Sequence, residues 1–428
     1  MSTPADTADL ARSFRRGFAA TYAVDLVTKA LGAAIVVVLI RGLSVESYAY
    51  TTLFLTLAQF AGSAAGGGVR TRYLRDEAER LSRGDSAGGE GAFVSALVKG
   101  TLLIVVIGAA ALPIMWAAGI GAEFTRAVNL VAYAIAFAAG FSACELATAR
   151  YQAKRRFLAA GVVSVVRATA LLAAAFIVVA TAQSVVVLSL VLVASMLLAG
   201  AITAGPVALG GAAVLPRSWP WFDREEVLLS LYYVAAAGFA YVDVMVAGAL
   251  LSNHQVATLG ASLRYLAIVQ SPIPALAAVL RVRTSQVDLV DSLANQRAMV
   301  LTWLRRTSLP AVIVVGATVL VAPLLIPQLD GGKYPGSIAV LQIFLVTALS
   351  AYLTAPSVSI LMAQRRYVVL VAIYAAGLVL NFAGDVAVAR RFGLVGIAVV
   401  SSAVYVALDI ALTALALRYT SKATTRAG

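Results

Sequence analysis

Two residue types that build most enzyme centres are almost missing from this chain. Its 428 residues include one cysteine, Cys144, and one histidine, His254. A single cysteine excludes an intramolecular disulfide and argues against a thiolate-bound metal cluster. One histidine, placed by the sequence at a connector, leaves no His-rich metal site and no Ser-His-Asp centre built round a buried imidazole. Charge is scarce as well: 12% of residues are Asp, Glu, Lys or Arg, where a soluble domain carries about a quarter. No HExxH, GxxxxGK[ST] or DxDxDG pattern occurs, so the zinc-hydrolase, P-loop and calcium-loop chemistries lack their ligands. A hydrolase, an ATP-driven pump and a metalloenzyme are disfavoured, and no cofactor is expected.

What the chain does have is hydrocarbon-soluble sequence. Hydrophobic residues make up 61% of it. They fall into runs, each near the roughly 20 residues that carry a helix across a bilayer core of about 30 Å. Helices satisfy their own backbone hydrogen bonds and so tolerate lipid. The runs predict spans near 17–40, 48–69, 92–117, 127–149, 158–180, 184–207, 227–251, 255–280, 299–326, 337–362, 367–389 and 393–417. The expected fold class is an all-α polytopic membrane protein of about 12 transmembrane helices. The first run is full length, with another span close behind it, so it does not read as a cleaved signal peptide. The connector 70–91 reads as a flexible cytoplasmic loop.

The net charge of +13 could suggest nucleic acid, but its distribution points elsewhere. Assigning alternate connectors to opposite sides puts 24 Lys and Arg on the side of both termini. It leaves five on the other: Arg41, Arg126, Lys333, Arg390 and Arg391. The positive-inside rule makes the rich side cytoplasmic. Most of these cations serve topology and anionic lipid headgroups, and no nucleic-acid partner is expected.

An internal repeat is visible. Leu43-Ser44 opens the second run and Leu251-Ser252 the eighth. Ala153-Lys154-Arg155-Arg156-Phe157 follows the fourth run, and Ala363-Gln364-Arg365-Arg366-Tyr367 follows the tenth, 210 residues later. Two parallel six-helix halves are expected, with a site between them as in many secondary transporters. The predicted organisation is a cytoplasmic segment 1–16, an N-lobe 17–207, a linker 208–226, a C-lobe 227–418 and a cytoplasmic tail 419–428.

Charges within the spans are the functional candidates, because a charge at the bilayer centre costs about 2.5–3.5 kcal/mol on insertion scales. Asp25 and Lys29 are spaced i, i+4 on one face; they read either as a neutralising pair or as a cavity cation with a titratable neighbour. Arg264 lies mid-span, with Pro272 and Pro274 further along to bend the helix. A guanidinium stays charged and grips phosphate with two donors, so Arg264 reads as an anion site or as the counter-ion of Asp243. Asp243 itself could pair with Arg264 or bind a coupling cation or proton. Arg167 is a third candidate cavity cation. Lys99 is expected to snorkel to the cytoplasmic edge, and Glu145 to pair with a loop arginine. Asp385, near Arg390, and Asp409 read as helix-end structural acids. Gly66-Gly67-Gly68 permits close helix contact.

Several stretches resemble one family. They are Leu39-Ile40-Arg41-Gly42-Leu43-Ser44-Val45-Glu46-Ser47-Tyr48, the glycines before Arg70, and Asp243-Val244-Met245-Val246-Ala247-Gly248. Gly332-Lys333-Tyr334 follows, then Asn381 and, after it, Arg390-Arg391-Phe392-Gly393-Leu394-Val395-Gly396. In order and spacing they are similar to the polysaccharide-biosynthesis, O-antigen-type flippases of the multidrug/oligosaccharidyl-lipid/polysaccharide (MOP) exporter superfamily. The resemblance implies two six-helix lobes in a V, as in MATE-like folds, open alternately to either side of a bacterial cytoplasmic membrane. The implied cargo is an undecaprenyl-pyrophosphate-linked oligosaccharide, flipped for surface polysaccharide assembly beside a polymerase machinery. Under it Lys29, Arg167 and Arg264 would hold diphosphate or acidic sugar, and Asp25 and Asp243 would couple transport to an ion. The alternative on the same architecture is a cation-coupled multidrug exporter. Its cargo is usually cationic, so three buried basic residues weigh against it. A membrane glycosyltransferase would need a sizeable external loop, which is not predicted. In a plain membrane scaffold, the buried charges would be removable in pairs.

Overall fold

A computed structural model describes residues 24, 26–84, 89–117, 124–154, 156–181, 184–211, 222–271, 273 and 289–424. All their regular structure is helical. In chain order the helices are α1 (residues 26–42), α2 (Val45–Ser82), α3 (Gly89–Ala117), α4 (Phe124–Ala153), α5 (Phe157–Thr181) and α6 (Val185–Gly211). Then come α7 (Arg224–Leu250), α8 (Asn253–Gln270), α9 (Leu289–Asp330) and α10 (Ser337–Ala363). The stretch Tyr367–Thr424 bends at Gly393, where φ is 58° and ψ is −143°. Glycine carries this positive φ without a Cβ penalty, and the bend separates α11 before it from α12 after it.

Eight helices among the described residues are long and apolar enough to cross a membrane, the last of them, 54 residues at Tyr367–Thr420, holding two span lengths. The protein is therefore a multi-pass membrane protein. Many of its large apolar side chains face outward: Leu209, Leu320 and Leu324 are more than two-thirds exposed, as lipid-facing residues are.

The predicted loop 70–91 is mostly helix. α2 runs on to Ser82, and only 83–88 separate it from α3. The extension is held by charge pairs at helical spacing, Arg72 with Asp76, Arg80 with Glu77 and Arg83 with Glu79, the spacing at which side chains meet on one face. Tyr73 is buried on it, with its ring edge-on to Phe93 of α3 at 5.9 Å. The mixed charge that suggests a flexible loop makes a surface helix instead, because its residues pair at i, i+3 and i, i+4.

The sequence repeat is a repeat of backbone geometry. At the end of α4 the Arg156 N–H donates to Tyr151 O at 2.8 Å; at the end of α10 the Arg366 N–H donates to Leu361 O at 2.9 Å. Both close the helix with the six-residue Schellman bond, and each pair sits 210 residues from its counterpart. The N-termini match as well. Ser44 Oγ accepts from the Ser47 N–H at 3.2 Å before α2, and Ser252 Oγ accepts from the Gln255 N–H at 3.4 Å before α8. A side-chain cap of this kind satisfies an N–H left over by the first turn.

The chain divides into two compact units. The first holds the residues up to Leu39 together with Leu57–Ser230; the second holds Ile40–Thr56 and the residues from Leu231 onward. In the first, α3–α6 pack on one another. Its small-residue core sets Ala61 and Ala65 of α2 against Ile104 of α3 and Ala138 of α4. Gly68 touches the first turns of α7 so closely that an added Cβ would lie 2.7 Å from Ser230 N. In the second, α10 packs against α8, α9 and the α11–α12 stretch. The α1–α2 connector belongs to this unit through two cations. Arg41 donates to Leu329 O at 3.0 Å and to Gln328 O at the end of α9. Lys333 donates to Leu43 O at 3.1 Å and to Arg41 O at the end of α1. Arg41 thus closes the carbonyl end of α9 and Lys333 that of α1, where a positive charge is favoured.

Candidate functional site

Acid, amide and hydroxyl groups from three helices meet in the interior of the second unit. Asp243 lies about three-quarters of the way along α7 and is 3% exposed; Asn381 and Asp385 of α11 are fully buried. The last two are four residues apart, so one helical face presents both. Asn381 Nδ2 donates to Asp243 Oδ1 at 2.6 Å. Asp385 and Ser401 of α12 both stand within side-chain hydrogen-bonding reach of Asp243, and Ser401 Oγ donates to Asp385 Oδ1 at 3.4 Å. Two polar atoms of the cluster, Asn381 Oδ1 and Asp385 Oδ2, are buried with no protein partner among the described residues. Two neighbouring carboxyls out of water do not both keep a bare negative charge. A shared proton or a small cation relieves them, and the oxygen ligands suit a hard cation.

Arg264 does not pair with Asp243. It lies half-buried on α8, and among the described residues its guanidinium makes no ion pair and no hydrogen bond; its charge acts on the phenol of Tyr48, a buried residue of α2. The counter-ion alternative from the sequence therefore does not hold, because Asp243 is occupied by groups of α11 and α12. Pro272 and Pro274 lie outside the described residues. Lys29 is half-buried on α1. Asp25, its expected neighbour, lies outside the described residues, so the i, i+4 pair is not described.

Arg167 is engaged. It pairs with Glu145 of α4, and its guanidinium also lies 4.9 Å from the centre of the Phe141 ring. Arg70 of α2 reaches the same carboxylate, so one acid ties α2, α4 and α5 together. Lys99 does not snorkel. It is 8% exposed and pairs with Glu226 of α7 at 2.7 Å, over the ring of Phe222. A full salt bridge in reach outweighs the gain of extending to the headgroups. Asp409 accepts from Ser350 of α10.

Of the five site residues expected from sequence, Asp243 heads the polar cluster, Arg264 and Lys29 lie elsewhere, Arg167 holds helices together, and Asp25 is not described. Sequence reasoning missed Asn381, Asp385 and Ser401 as its partners. The signal for the first two was their i, i+4 spacing inside an apolar run; Ser401 gave none.

No protein-family profile matches the chain, and no curated sequence matches it. Solved structures do. The chain is similar to an inward-facing multidrug resistance MATE family transporter of the MOP superfamily, with a TM-score of 0.68 at 16% identity over 96% of this chain and 100% of that one. It is similar to the lipid II flippase MurJ in an inward closed conformation, at 0.73 and 12% identity, over 94% and 87%. A MOP superfamily transporter from Pyrococcus furiosus Vc1 gives 0.65 at 16% identity, over 95% and 97%. This all-helical chain has the fold of the MOP superfamily transporters.

Proposed function

We propose that the protein is a flippase. It would move an undecaprenyl-pyrophosphate-linked oligosaccharide across the bacterial cytoplasmic membrane, both termini cytoplasmic, by alternating access between an N-lobe (17–207) and a C-lobe (227–418). The observation that carries this reading is Arg264, a half-buried guanidinium with no ion pair or hydrogen bond to a described residue. An uncompensated cation inside a bundle is costly unless an anion or water meets it. A diphosphate offers the paired oxygens that a guanidinium fork binds best. Lys29, half-buried on α1, is the second cation of this reading. Arg167 supports it only indirectly, since Glu145 already neutralises it. The MurJ likeness lends a precedent of lipid-linked cargo, and the prenyl chain can stay in the bilayer while only the head group crosses.

The second reading, a cation-coupled multidrug exporter, draws on the MATE likeness. Under either reading, the cluster of Asp243, Asn381, Asp385 and Ser401 takes the coupling cation or proton. Arg264, without an ion pair or hydrogen bond among the described residues, favours anionic cargo and so the flippase.

The test is made in the native host. The gene is deleted, and the membrane face occupied by prenyl-linked glycans is read with an impermeant labelling reagent. Complete repeat units confined to the cytoplasmic face are expected. Normal amounts outside, together with increased sensitivity to cationic drugs, would replace the flippase reading with the exporter.

A further inference from the structure

Four of the five basic residues that the sequence assigns to the outer side lie in the second unit, and they are used differently. Arg41 and Lys333 close helix ends with their side chains. Arg390 and Arg391, at the end of α11, are exposed, and neither makes an ion pair or hydrogen bond with a described residue. They border a groove of about 700 Å³ lined also by Ser252, Gln255, Phe392 and Gly393. The floor of the groove is fixed. Ser252 and Gln255 form a reciprocal capping box, and the Gln255 side chain lies against the bend, where a Cβ added at Gly393 would be 3.1 Å from its Nε2. Phe392, 59% exposed, lines the groove, and the helices on either side of the bend carry further exposed apolar residues: Val386 on α11 and Val395 and Val399 on α12.

We propose that this groove binds the phosphate group of a membrane lipid, with Arg390 and Arg391 on the phosphate oxygens and the acyl or prenyl chain along α11 and α12. Two adjacent guanidiniums without carboxylates are a phosphate-selective arrangement. Arg390 and Arg391 are exposed beside the groove, with no carboxylate partner among the described residues, so both forks are open to an anion. The apolar flank selects an amphiphile over a free phosphate. The site involves neither Arg264 nor Asp243 and does not depend on the flippase reading.

The test uses the full-length protein, delipidated in neutral detergent and followed by native mass spectrometry. It is titrated with phosphatidylglycerol, undecaprenyl diphosphate, a neutral diacylglycerol and inorganic phosphate. The wild type should retain one phosphate-bearing lipid tightly, and Arg390→Gln/Arg391→Gln should retain it at least fivefold more weakly. Arg390→Lys/Arg391→Lys, which keeps the charge, should recover part of the affinity and shows that loss in the Gln variant is not misfolding. Preference for phosphatidylglycerol makes the ligand a bulk lipid; preference for undecaprenyl diphosphate makes it a prenyl carrier. Equal retention by wild type and the Gln variant, or equal binding of the diacylglycerol, overturns the proposal, as does binding of inorganic phosphate with an affinity equal to the lipids'.

Discussion

Asn381 on α11 donates to the Asp243 carboxylate on α7 at 2.6 Å, and this bond accounts for where the acid's partners lie. Asp243 is met by Asn381 and Asp385 of α11 and Ser401 of α12, not by Arg264. The two charges a reader of the sequence would pair are thereby kept apart, and the proposed function gives them separate roles, ion coupling at Asp243 and cargo binding at Arg264.

The first prediction concerns the acids. Asp243→Asn and Asp385→Asn, singly, should abolish the response of transport to an imposed sodium or proton gradient in proteoliposomes. They should leave detergent-solubilised thermal stability unchanged or raised, because each removes a buried carboxyl that burial penalises. Gradient-driven transport at wild-type rate in both variants would contradict ion coupling at this cluster.

Arg167 and Glu145 form a structural pair. Arg167→Ala should cost about 2 kcal/mol of stability, at the lower side of buried-pair losses because both side chains keep some exposure. Cargo affinity should stay within about twofold of wild type. Thermal unfolding and ligand titration on the same sample check both parts.

Lys99→Ala leaves Glu226 buried without its cation. The expected loss is about 3–5 kcal/mol. Lys99→Met with Glu226→Leu should recover most of it, since replacing a buried ion pair by apolar groups of similar volume is often neutral or stabilising. A double variant as unstable as the single one would show that the pair has another structural role.

Arg41→Ala and Lys333→Ala should each remove about 1–2 kcal/mol from the end of α1 or α9, because each breaks charge-assisted bonds to helix-terminal carbonyls. Hydrogen exchange should rise in 40–56 and 325–336 and stay unchanged at α4. Uniform acceleration through the whole chain would instead mean global unfolding.

Much of the fold was legible in the sequence because lipid imposes it. Apolar runs of span length became helices, and the turns after Ala153 and Ala363 carry the same hydrogen-bond closure because the same local sequence closes both. The α2 extension was misread because its stability comes from side-chain pairs at helical spacing, not from hydropathy. The site was legible only as a set of expensive charges. Which charge meets which depends on tertiary packing: Glu226 opens α7 yet reaches Lys99 on α3, 127 residues earlier in sequence. Asp385 was read with nearby Arg390 because sequence distance is a poor guide once α11 buries one face.

In the proposed flippase Arg264 meets the diphosphate of the cargo. This contact is tested most directly in a deletion host complemented with wild type, Arg264→Lys or Arg264→Ala, by labelling outer-face prenyl-linked glycan with an impermeant reagent at matched expression. Arg264→Ala should lower the labelling at least tenfold, about 1.4 kcal/mol or more in the transport barrier, and Arg264→Lys, which keeps the charge but loses the two-donor fork, should keep partial activity. Wild-type labelling with Arg264→Ala would contradict this role of Arg264.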